Sequence, residues 1–194
     1  MSKIRFKPGN MLYPVPAVMV SCRRPGEKPN IVTVAWAGTI CSNPPMLSIS
    51  LHDTRYSYDI ITETGEFVVN LVSEPLAPAC DWCGVKSGRD VDKFKAMNLT
   101  PIYLEESGEG ADVSAPAISE SPVNLYCKVT SQQKLGSHDI FMAEIKAVTV
   151  DDSLLDETGR FHLEDAHLIA YSHGTYYALG KALGTFGFSV KKNK

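Results

Sequence analysis

Alternation of apolar and polar residues predicts a chain built mainly of β-strands. Residues 46–51 alternate between apolar and polar side chains, which predicts a strand with Ser48 and Ser50 on one face. Residues 123–134 and 139–150 form two longer alternating segments joined at a Leu-Gly-Ser-His turn, and this pattern predicts a β-hairpin. Shorter strands are predicted at residues 17–22, 66–72, 168–171 and 175–179. Because strands outnumber helices, a β-barrel with a few short helices is expected.

The most informative local pattern lies just before the first predicted helix. Small residues follow β-branched ones around Trp36, so residues 31–39 are predicted to form one strand with something packed close to its backbone. After a Ser-Asn-Pro-Pro turn and the strand at residues 46–51, Thr54 is predicted to be the N-cap of a helix. Gly65 stands where the residue after the helix belongs.

Arg55 and Ser57 fall in the first turn of that helix. Unpaired backbone N–H groups, the positive end of the helix dipole, a guanidinium and a hydroxyl would all face one place, which predicts a phosphate site. An ordinary strand–helix corner with a solvated arginine is the alternative for the same two residues.

Three further features qualify this outline. Two short helices are expected, one over residues 73–82 with prolines in its first turns and one with Asp90 as its N-cap. Asn70 lies in a buried strand, so its amide either bonds to the backbone or faces a polar ligand. Residues 99–121, including the glycine-rich residues 108–111, are predicted to be irregular with at most one short strand.

Composition narrows the possible classes of protein. The chain has 194 residues and is expected to be a single domain, residues 1–194, with an N-terminal arm over residues 1–13 and a C-terminal tail over residues 181–194. A net charge of −3 with no basic stripe argues against a nucleic-acid partner. Neither a signal peptide nor an apolar run of membrane-spanning length is visible, so no membrane partner and a cytoplasmic location are expected.

Five scattered cysteines include one C-x-x-C pair, Cys80 and Cys83. No second ligand pair at a suitable spacing accompanies them, so free, partly buried thiols and no metal site are expected, with redox or metal chemistry as the weaker alternative. Glycine-rich nucleotide loops, zinc-protease motifs and nucleophile elbows are absent from the sequence.

Several short motifs in a fixed order resemble the flavin reductase-like, FMN-binding split-barrel family, and within it flavoredoxin-type proteins. The motifs are Asn43-Pro-Pro45, Arg55-Tyr-Ser57, Gly65-Glu-Phe-Val-Val-Asn70, Ser87-Gly-Arg-Asp-Val-Asp-Lys-Phe94, Gly136-Ser-His138 and Gly174-Thr-Tyr-Tyr177. This resemblance implies a six-stranded antiparallel Greek-key split barrel that forms a homodimer, with FMN in a groove near the dimer interface.

Carried over by position, the family's flavin site falls on the predicted strand over residues 31–39, on the strand over residues 46–51 and on the start of the helix that follows. The implied FMN-binding residues are Thr33, Val34, Ala35, Trp36, Ala37, Gly38, Thr39, Ser50, Arg55, Ser57 and, as a secondary candidate, Arg89. The small residues agree with the strand pattern, because they would let a flat ring lie against the main chain. Tyr171, Tyr176 and Phe186 are either core aromatics or, in one case, a cover for the ring.

The resemblance also implies an activity. NAD(P)H would pass a hydride to the flavin, and the reduced flavin would serve a second acceptor. His138 is the predicted catalytic residue, placed to position the hydride donor or to donate a proton, although a lone turn histidine is also often only solvated or locally bonded. Two alternatives remain open: a flavoredoxin-type electron carrier reduced by a redox partner protein, and a non-enzymatic ligand-binding barrel. The sequence chooses neither between NADH and NADPH nor among acceptors.

Overall fold

A computed structural model describes residues 1–104 and 112–190 of the chain. The described residues form twelve strands: β1 (Val15–Pro16), β2 (Val18–Cys22), β3 (Asn30–Val34), β4 (Ala37–Ser42), β5 (Pro45–His52), β6 (Glu66–Leu71), β7 (Pro101–Ile102), β8 (Ala117–Ile118), β9 (Val123–Lys134), β10 (His138–Val150), β11 (Ile169–Ser172) and β12 (Thr175–Ala178). Three short α-helices accompany them: α1 (Tyr56–Thr64), α2 (Ala77–Val85) and α3 (Lys93–Ala96). Single 3₁₀ turns lie at Glu74–Leu76, Asp152–Leu154, Leu163–Ala166 and Phe188–Val190.

The main sheet has seven antiparallel strands in the order β3-β2-β6-β9-β10-β5-β4. Its two edge strands, β3 and β4, are consecutive in the chain and are joined by only Ala35 and Trp36. The sheet must therefore curl until its edges meet, which makes it a barrel split at this connection. Smaller sheets, β1-β11-β12 and β7-β8, complete the fold.

The predicted mainly β, antiparallel architecture with a few short helices is confirmed, but the strand count differs. The main sheet has seven strands where six were expected, and the single strand predicted over residues 31–39 is two strands on opposite edges. The break falls at Ala35, where the chain leaves β3, and the backbone N–H of Ser50 bonds to the Trp36 carbonyl at an N···O distance of 2.9 Å. A run of small residues permits either path, so the tertiary pairing decided between them.

The alternating pattern located the other strands well. The predicted hairpin is β9 and β10, and Leu47, Ile49 and Leu51 of β5 face the core while Ser48 and Ser50 are only half-buried. The main core packs inside the barrel against α1 and centres on Val20, Ile49, Ile61, Phe67 and Phe141. A second core packs under α2 and α3, around Met19, Cys80, Cys83, Phe94 and Ile118.

Two helix starts differ from the prediction. Helix α1 begins at Tyr56 with Arg55 as its N-cap, because the Thr54 hydroxyl bonds instead to the His52 ring, with Thr54 Oγ1 3.0 Å from His52 Nδ1. Asp92 rather than Asp90 caps α3, and its carboxylate accepts the Lys95 N–H at 3.1 Å. The C-terminal end of α1 is as predicted, since Gly65 adopts the left-handed conformation with φ of 69°.

The alternatives for Asn70 are settled by its hydrogen bonds. Its amide Nδ2 donates to the Met19 carbonyl and the Ser21 hydroxyl, each at 2.9 Å. Its Oδ1 accepts from the Ile118 N–H at 2.8 Å and from the Asn124 side chain at 2.9 Å. Asn70 is therefore a buried structural residue that ties four segments of chain together.

Other expectations are resolved by the same description. Residues 99–121 contain the paired strands β7 and β8, so the expectation of at most one strand there was wrong. The glycine-rich residues 108–111 and the last four residues of the predicted tail lie outside the described residues. All five cysteines are free, and four of them are buried. Among the described residues, no helix has both the length and the apolar character needed to span a membrane.

Candidate functional site

A cavity of about 490 Å³ opens beside the split in the barrel. Its walls come from β3, the Ala35–Trp36 connection, β5, the start of α1, residues 85–88 and the first residues of α3 and β10. Of the predicted site residues, this cavity brings together Thr33, Val34, Ala35, Trp36, Ser50, Arg55, Ser57 and His138. These residues are separated by up to about a hundred positions in the chain, so the barrel rather than local sequence assembles them.

Charge distinguishes this cavity from the rest of the molecule. Three cationic side chains line it, namely Arg55, Lys86 and Lys93, and no Asp or Glu does among the described residues. The whole chain carries a net charge of −3. A cavity of one sign in a protein of the other sign is suited to an anionic ligand.

Arg55 stands at the N-terminal end of the nine-residue helix α1. Its Nη1 donates to the Gly84 carbonyl at 2.8 Å, which fixes the guanidinium against the end of α2 and uses one of its five N–H donors. Ser57 is buried, and its hydroxyl oxygen accepts a hydrogen bond from Asn30 Nδ2 at 2.8 Å. The helix dipole and Arg55 thus act at the same place, as the phosphate hypothesis requires.

The turn at residues 87–88 approaches this end of the cavity very closely. A Cβ atom on Gly88 would lie 2.0 Å from Asn30 Oδ1 and 2.9 Å from the Tyr56 ring, so only glycine fits there. Ser87 and Gly88 therefore line the cavity beside Tyr56, the first residue of α1. Sequence reasoning used these residues only as part of a family motif, and it gave no role to Asn30 as a support for Ser57.

Lys93 is the main functional candidate that sequence reasoning missed. It is only 3% exposed, and its Nζ donates to the carbonyls of Ile31 at 2.6 Å and Cys83 at 2.8 Å. Burial, above all, lowers the pKa of this ammonium to about 8. The one available sequence signal was its position beside the buried Phe94, which does not indicate which side of the helix faces a ligand.

Arg89, the secondary candidate, lies outside the residues that line the cavity. Its guanidinium bonds to the Thr54 carbonyl at 3.1 Å and to the Asp59 carboxylate at 3.2 Å, and it lies over the Tyr56 ring. In this arrangement Arg89 braces the start of α1 from outside, and direct contact with a ligand stays a prediction.

His138, the first residue of β10, also lines the cavity. Its ring centroid is 4.5 Å from that of Trp36 and 5.3 Å from that of His52, which sequence reasoning did not select. Burial, followed by electrostatic repulsion from His52 and Arg55, holds the pKa of His138 below its ordinary value. The imidazole is therefore mainly neutral at pH 7 and can either donate or accept a proton.

A second groove, of about 740 Å³, adjoins the first cavity and shares Ala35, Trp36 and Ser50 with it. Ala37, Gly38 and Ser48 form its floor, and residues 9–13 of the N-terminal arm form its other wall. A Cβ atom on Gly38 would meet nothing within 4 Å, so open space lies directly above this strand. Thr39 continues along β4 in an exposed position. The groove can accept a flat ring against the main chain of β4.

The chain as a whole is similar to known proteins in sequence and in fold. The family model for the flavin reductase like domain matches residues 10–180. The structure of flavoredoxin from Desulfovibrio vulgaris (Miyazaki F) superposes with a TM-score of 0.86 at 30% identity, covering 98% of this chain and 100% of that one.

Two curated relatives extend the comparison. A protein of Archaeoglobus fulgidus is 32% identical over 130 residues, which are 67% of this chain and 70% of that protein. The protein named FMN reductase (NADH) RutF 1 of Methylorubrum extorquens is 25% identical over 131 residues, or 64% of this chain and 60% of the relative.

Proposed function

The chain belongs to the flavin reductase-like domain family, and from this premise we propose that it is an FMN-dependent oxidoreductase. The observation that carries the proposal is the cavity lined by Arg55, Lys86 and Lys93 without a described carboxylate, next to a groove with an open, small-residue floor. FMN carries a dianionic phosphate joined by a ribityl chain to a flat heteroaromatic ring, and its two ends suit these two adjoining spaces.

The residues divide into a phosphate end and a ring end. Arg55, Lys93 and the first N–H groups of α1 would hold the phosphate, with the Gly88 turn lining the site. The small residues Ala35, Ala37 and Gly38 would accept the ring, and Ser50 lines both spaces. When bound, FMN would supply the electron chemistry, taking a hydride from NAD(P)H and passing electrons to a second acceptor.

The protein contributes position and protonation state to this reaction. Neutral His138, packed on Trp36, can hold a proton at one ring nitrogen close to the groove or orient a hydride donor there. Trp36 lines both spaces, so its ring stands where they adjoin. No protein nucleophile is needed for such a reaction.

A flavoredoxin-type electron carrier is the second candidate, favoured by the similarity to flavoredoxin over 98% of the chain. In that case a redox partner protein, rather than NAD(P)H, would reduce the flavin. Oxidation of NADH and NADPH under nitrogen, with added FMN or a ferric chelate as acceptor, separates the two. Steady turnover supports the reductase, and FMN binding without turnover supports the carrier.

The FMN site itself is tested with Arg55→Ala. Loss of one charged hydrogen-bonding partner is expected to cost about 1.5–3 kcal/mol of FMN binding, or roughly a tenfold to hundredfold higher Kd. Quenching of FMN fluorescence in a titration measures this Kd, and the absorption spectrum reports the bound flavin.

Arg160→Ala is the matched control, because Arg160 is an exposed arginine of the loop after β10, outside the cavity lining. It should bind FMN as the unsubstituted protein does. An unchanged Kd in Arg55→Ala would refute the phosphate assignment, and a protein that ignores added FMN altogether would favour a non-enzymatic barrel.

A further inference from the structure

A second histidine, His52, lies beside His138 in the cavity at the split of the barrel. His52 ends β5 and His138 begins β10, and the two residues are register partners across these antiparallel strands. Register partners project from the same face of a sheet, and the two ring centroids are 5.3 Å apart. A charge on either imidazole therefore acts on the other, although the proposed reaction uses only His138.

His52 has hydrogen-bonding partners in both of its protonation states. Its Nδ1 accepts a hydrogen bond from the Thr54 backbone N–H at 3.3 Å and lies 3.0 Å from Thr54 Oγ1. The carboxylate oxygen Oδ1 of Asp53 lies 3.0 Å from the same nitrogen. The neutral ring is thus held by Thr54, whereas the protonated ring can donate to Asp53, which supplies its counter-ion.

His138 differs from His52 in its partners. Its Nδ1 lies 3.0 Å from the neutral Ser137 hydroxyl, and its ring packs on Trp36. It forms no ion pair with any carboxylate in the part of the chain that the structure describes. Burial, followed by repulsion from His52 and Arg55, lowers the pKa of His138. A proton is therefore better accommodated on His52 than on His138.

The charged groups around the two rings come from three segments. The turn after β5 supplies Asp53, which attracts a proton to His138, and the start of α1 supplies Arg55, which repels it. Lys134 and Asp139 are register partners on the β9–β10 hairpin. Asp139 lies on the opposite face of β10 from His138, because successive side chains of a strand alternate. Asp53 is therefore the carboxylate placed to favour a proton on one ring over the other.

We propose that His52 is a positioning residue for the reaction: it takes up the first proton that the two histidines bind on acidification, with Asp53 as its counter-ion, and so keeps His138 neutral in the cavity. A neutral imidazole can donate at one ring nitrogen and accept at the other, which an imidazolium cannot. The inference rests on the proposed function, because it concerns the histidine assigned to that reaction. The coupling of charge between the two rings requires no flavin.

A proton NMR titration of the imidazole signals, on the protein without FMN, tests this coupling. The chain has five histidines, and the signals missing from His52→Gln and His138→Gln assign the two rings. In the unsubstituted protein, we expect the His52 signal to shift first as the pH falls from about 8 to about 4.5, a range that spans the ordinary pKa of histidine. In His52→Gln, we expect the measured pKa of His138 to rise by about 0.5 or more, the effect of removing one unit charge at this distance in water.

Two further variants separate charge from shape. Asp53→Asn removes the counter-ion at an exposed position while keeping the shape of the side chain, and it should bring the titrations of the two rings closer together. His162→Gln replaces a histidine outside the cavity lining and should leave the pKa of His138 unchanged.

The rate of FMN reduction by NADH or NADPH, measured against pH, is the second readout. We expect this rate to fall as His138 gains a proton, and in His52→Gln the fall should begin at a pH that is higher by as much as the pKa of His138 has risen. A first proton on His138, or an unchanged pKa of His138 in His52→Gln, would overturn the proposal. Failure of FMN to bind or to be reduced would remove the proposed function, and with it the reaction that His52 serves. The two failures are distinguishable because the titration uses the protein without FMN.

Discussion

At the scale of single residues, Lys93 shows how burial converts an ordinary side chain into a tuned one. Its ammonium is enclosed by α3 and two backbone carbonyls, and it lines the cavity that the helix α1 dipole faces. Burial disfavours the charged form, which is why the pKa falls to about 8 rather than staying near 10.5. The positive charge of Lys93 that would bind a phosphate is therefore present at pH 7 and is lost as the pH rises through about 8.

We predict that FMN affinity falls as pH rises through about 8, because Lys93 then loses its proton and its charge. The Lys93→Met variant should bind FMN roughly tenfold or more weakly at pH 7, from loss of one charged partner, and should lack this pH dependence. Fluorescence titrations between about pH 7 and pH 9.5, which span that pKa, measure both effects. Lys95→Met, on the exposed side of the same helix, is the control and should keep the profile. An identical pH profile in both variants would contradict the role given to Lys93.

At the scale of elements, the connection between β3 and β4 organises the site. Two residues, Ala35 and Trp36, carry the chain from one edge of the sheet to the other, and both of them line the cavity and the groove. The strand that follows begins with Ala37 and Gly38, so its surface toward the groove has little side-chain bulk. The small residues in the segment that was wrongly predicted to be one strand thus leave room for a ring.

The Gly38→Val variant tests whether the flavin ring occupies the space beside β4, and it should not disturb the fold. Open space surrounds the position a Cβ would take, and valine suits a strand, so the melting temperature of the protein without FMN should stay the same or rise. The added side chain would fill the space assigned to the flavin ring, and we expect FMN affinity to drop by about tenfold or more, as for overpacking of a fitted site.

Gly180→Val is the matched control, since Gly180 also has nothing within 4 Å and is exposed just before the C-terminal tail. The melting curve with and without FMN supplies a second readout for both variants, because a ligand at a hundred times its Kd adds about 2.7 kcal/mol of stability. Tight FMN binding by Gly38→Val would show that the ring does not lie against β4.

At the scale of the whole molecule, the surface is larger than a compact monomer of this size should have. The accessible area is 12,402 Å² for a chain of 21.2 kDa, whereas the usual scaling gives about 9,000 Å². Exposed apolar side chains in the arm, on β4 and in the tail contribute to it: Ile4, Phe6, Met11, Leu12, Ile40, Leu183, Phe186 and Phe188. A second copy of the chain covering these residues would account for their exposure, and on this ground we propose the homodimer that the family resemblance implies.

We expect sedimentation at micromolar concentration to give about twice the monomer mass, because an interface as large as those of obligate dimers would hold two copies together at this concentration. Ile40→Lys places a charge on the exposed edge strand β4 and should raise the dimer dissociation constant by about tenfold or more. Leu155→Lys, an equally exposed leucine in the loop after β10, serves as the control and should sediment as the unsubstituted protein does. A monomeric mass for the unsubstituted protein would contradict the homodimer.

The sequence by itself determined most of the elements and the start of the site. Period-two alternation located β5, β9 and β10 because one face of each strand is buried. Gly65 ended α1 because only glycine takes the left-handed conformation there without strain. Arg55 and Ser57 entered the prediction together because they are neighbours in one helical turn, and the family motifs added His138 and the small residues of β4.

Only the tertiary structure decided which distant groups complete the site. Lys93 bonds to Ile31 across 62 positions, and Arg55 bonds to Gly84 across 29 positions. Local patterns describe neighbours along the chain. They could not show that residues 31–39 form two strands on opposite edges of the sheet. Nor could they show that the Thr54 hydroxyl bonds to the His52 ring instead of capping α1. A pocket lined by Tyr13, Tyr171 and Tyr176 likewise exists only because the arm, α2 and the β11–β12 hairpin meet beside Arg55. The periodicity of a sequence reflects which residues are buried, whereas the positions of Lys93 and Arg55 in the cavity depend on how the barrel closes.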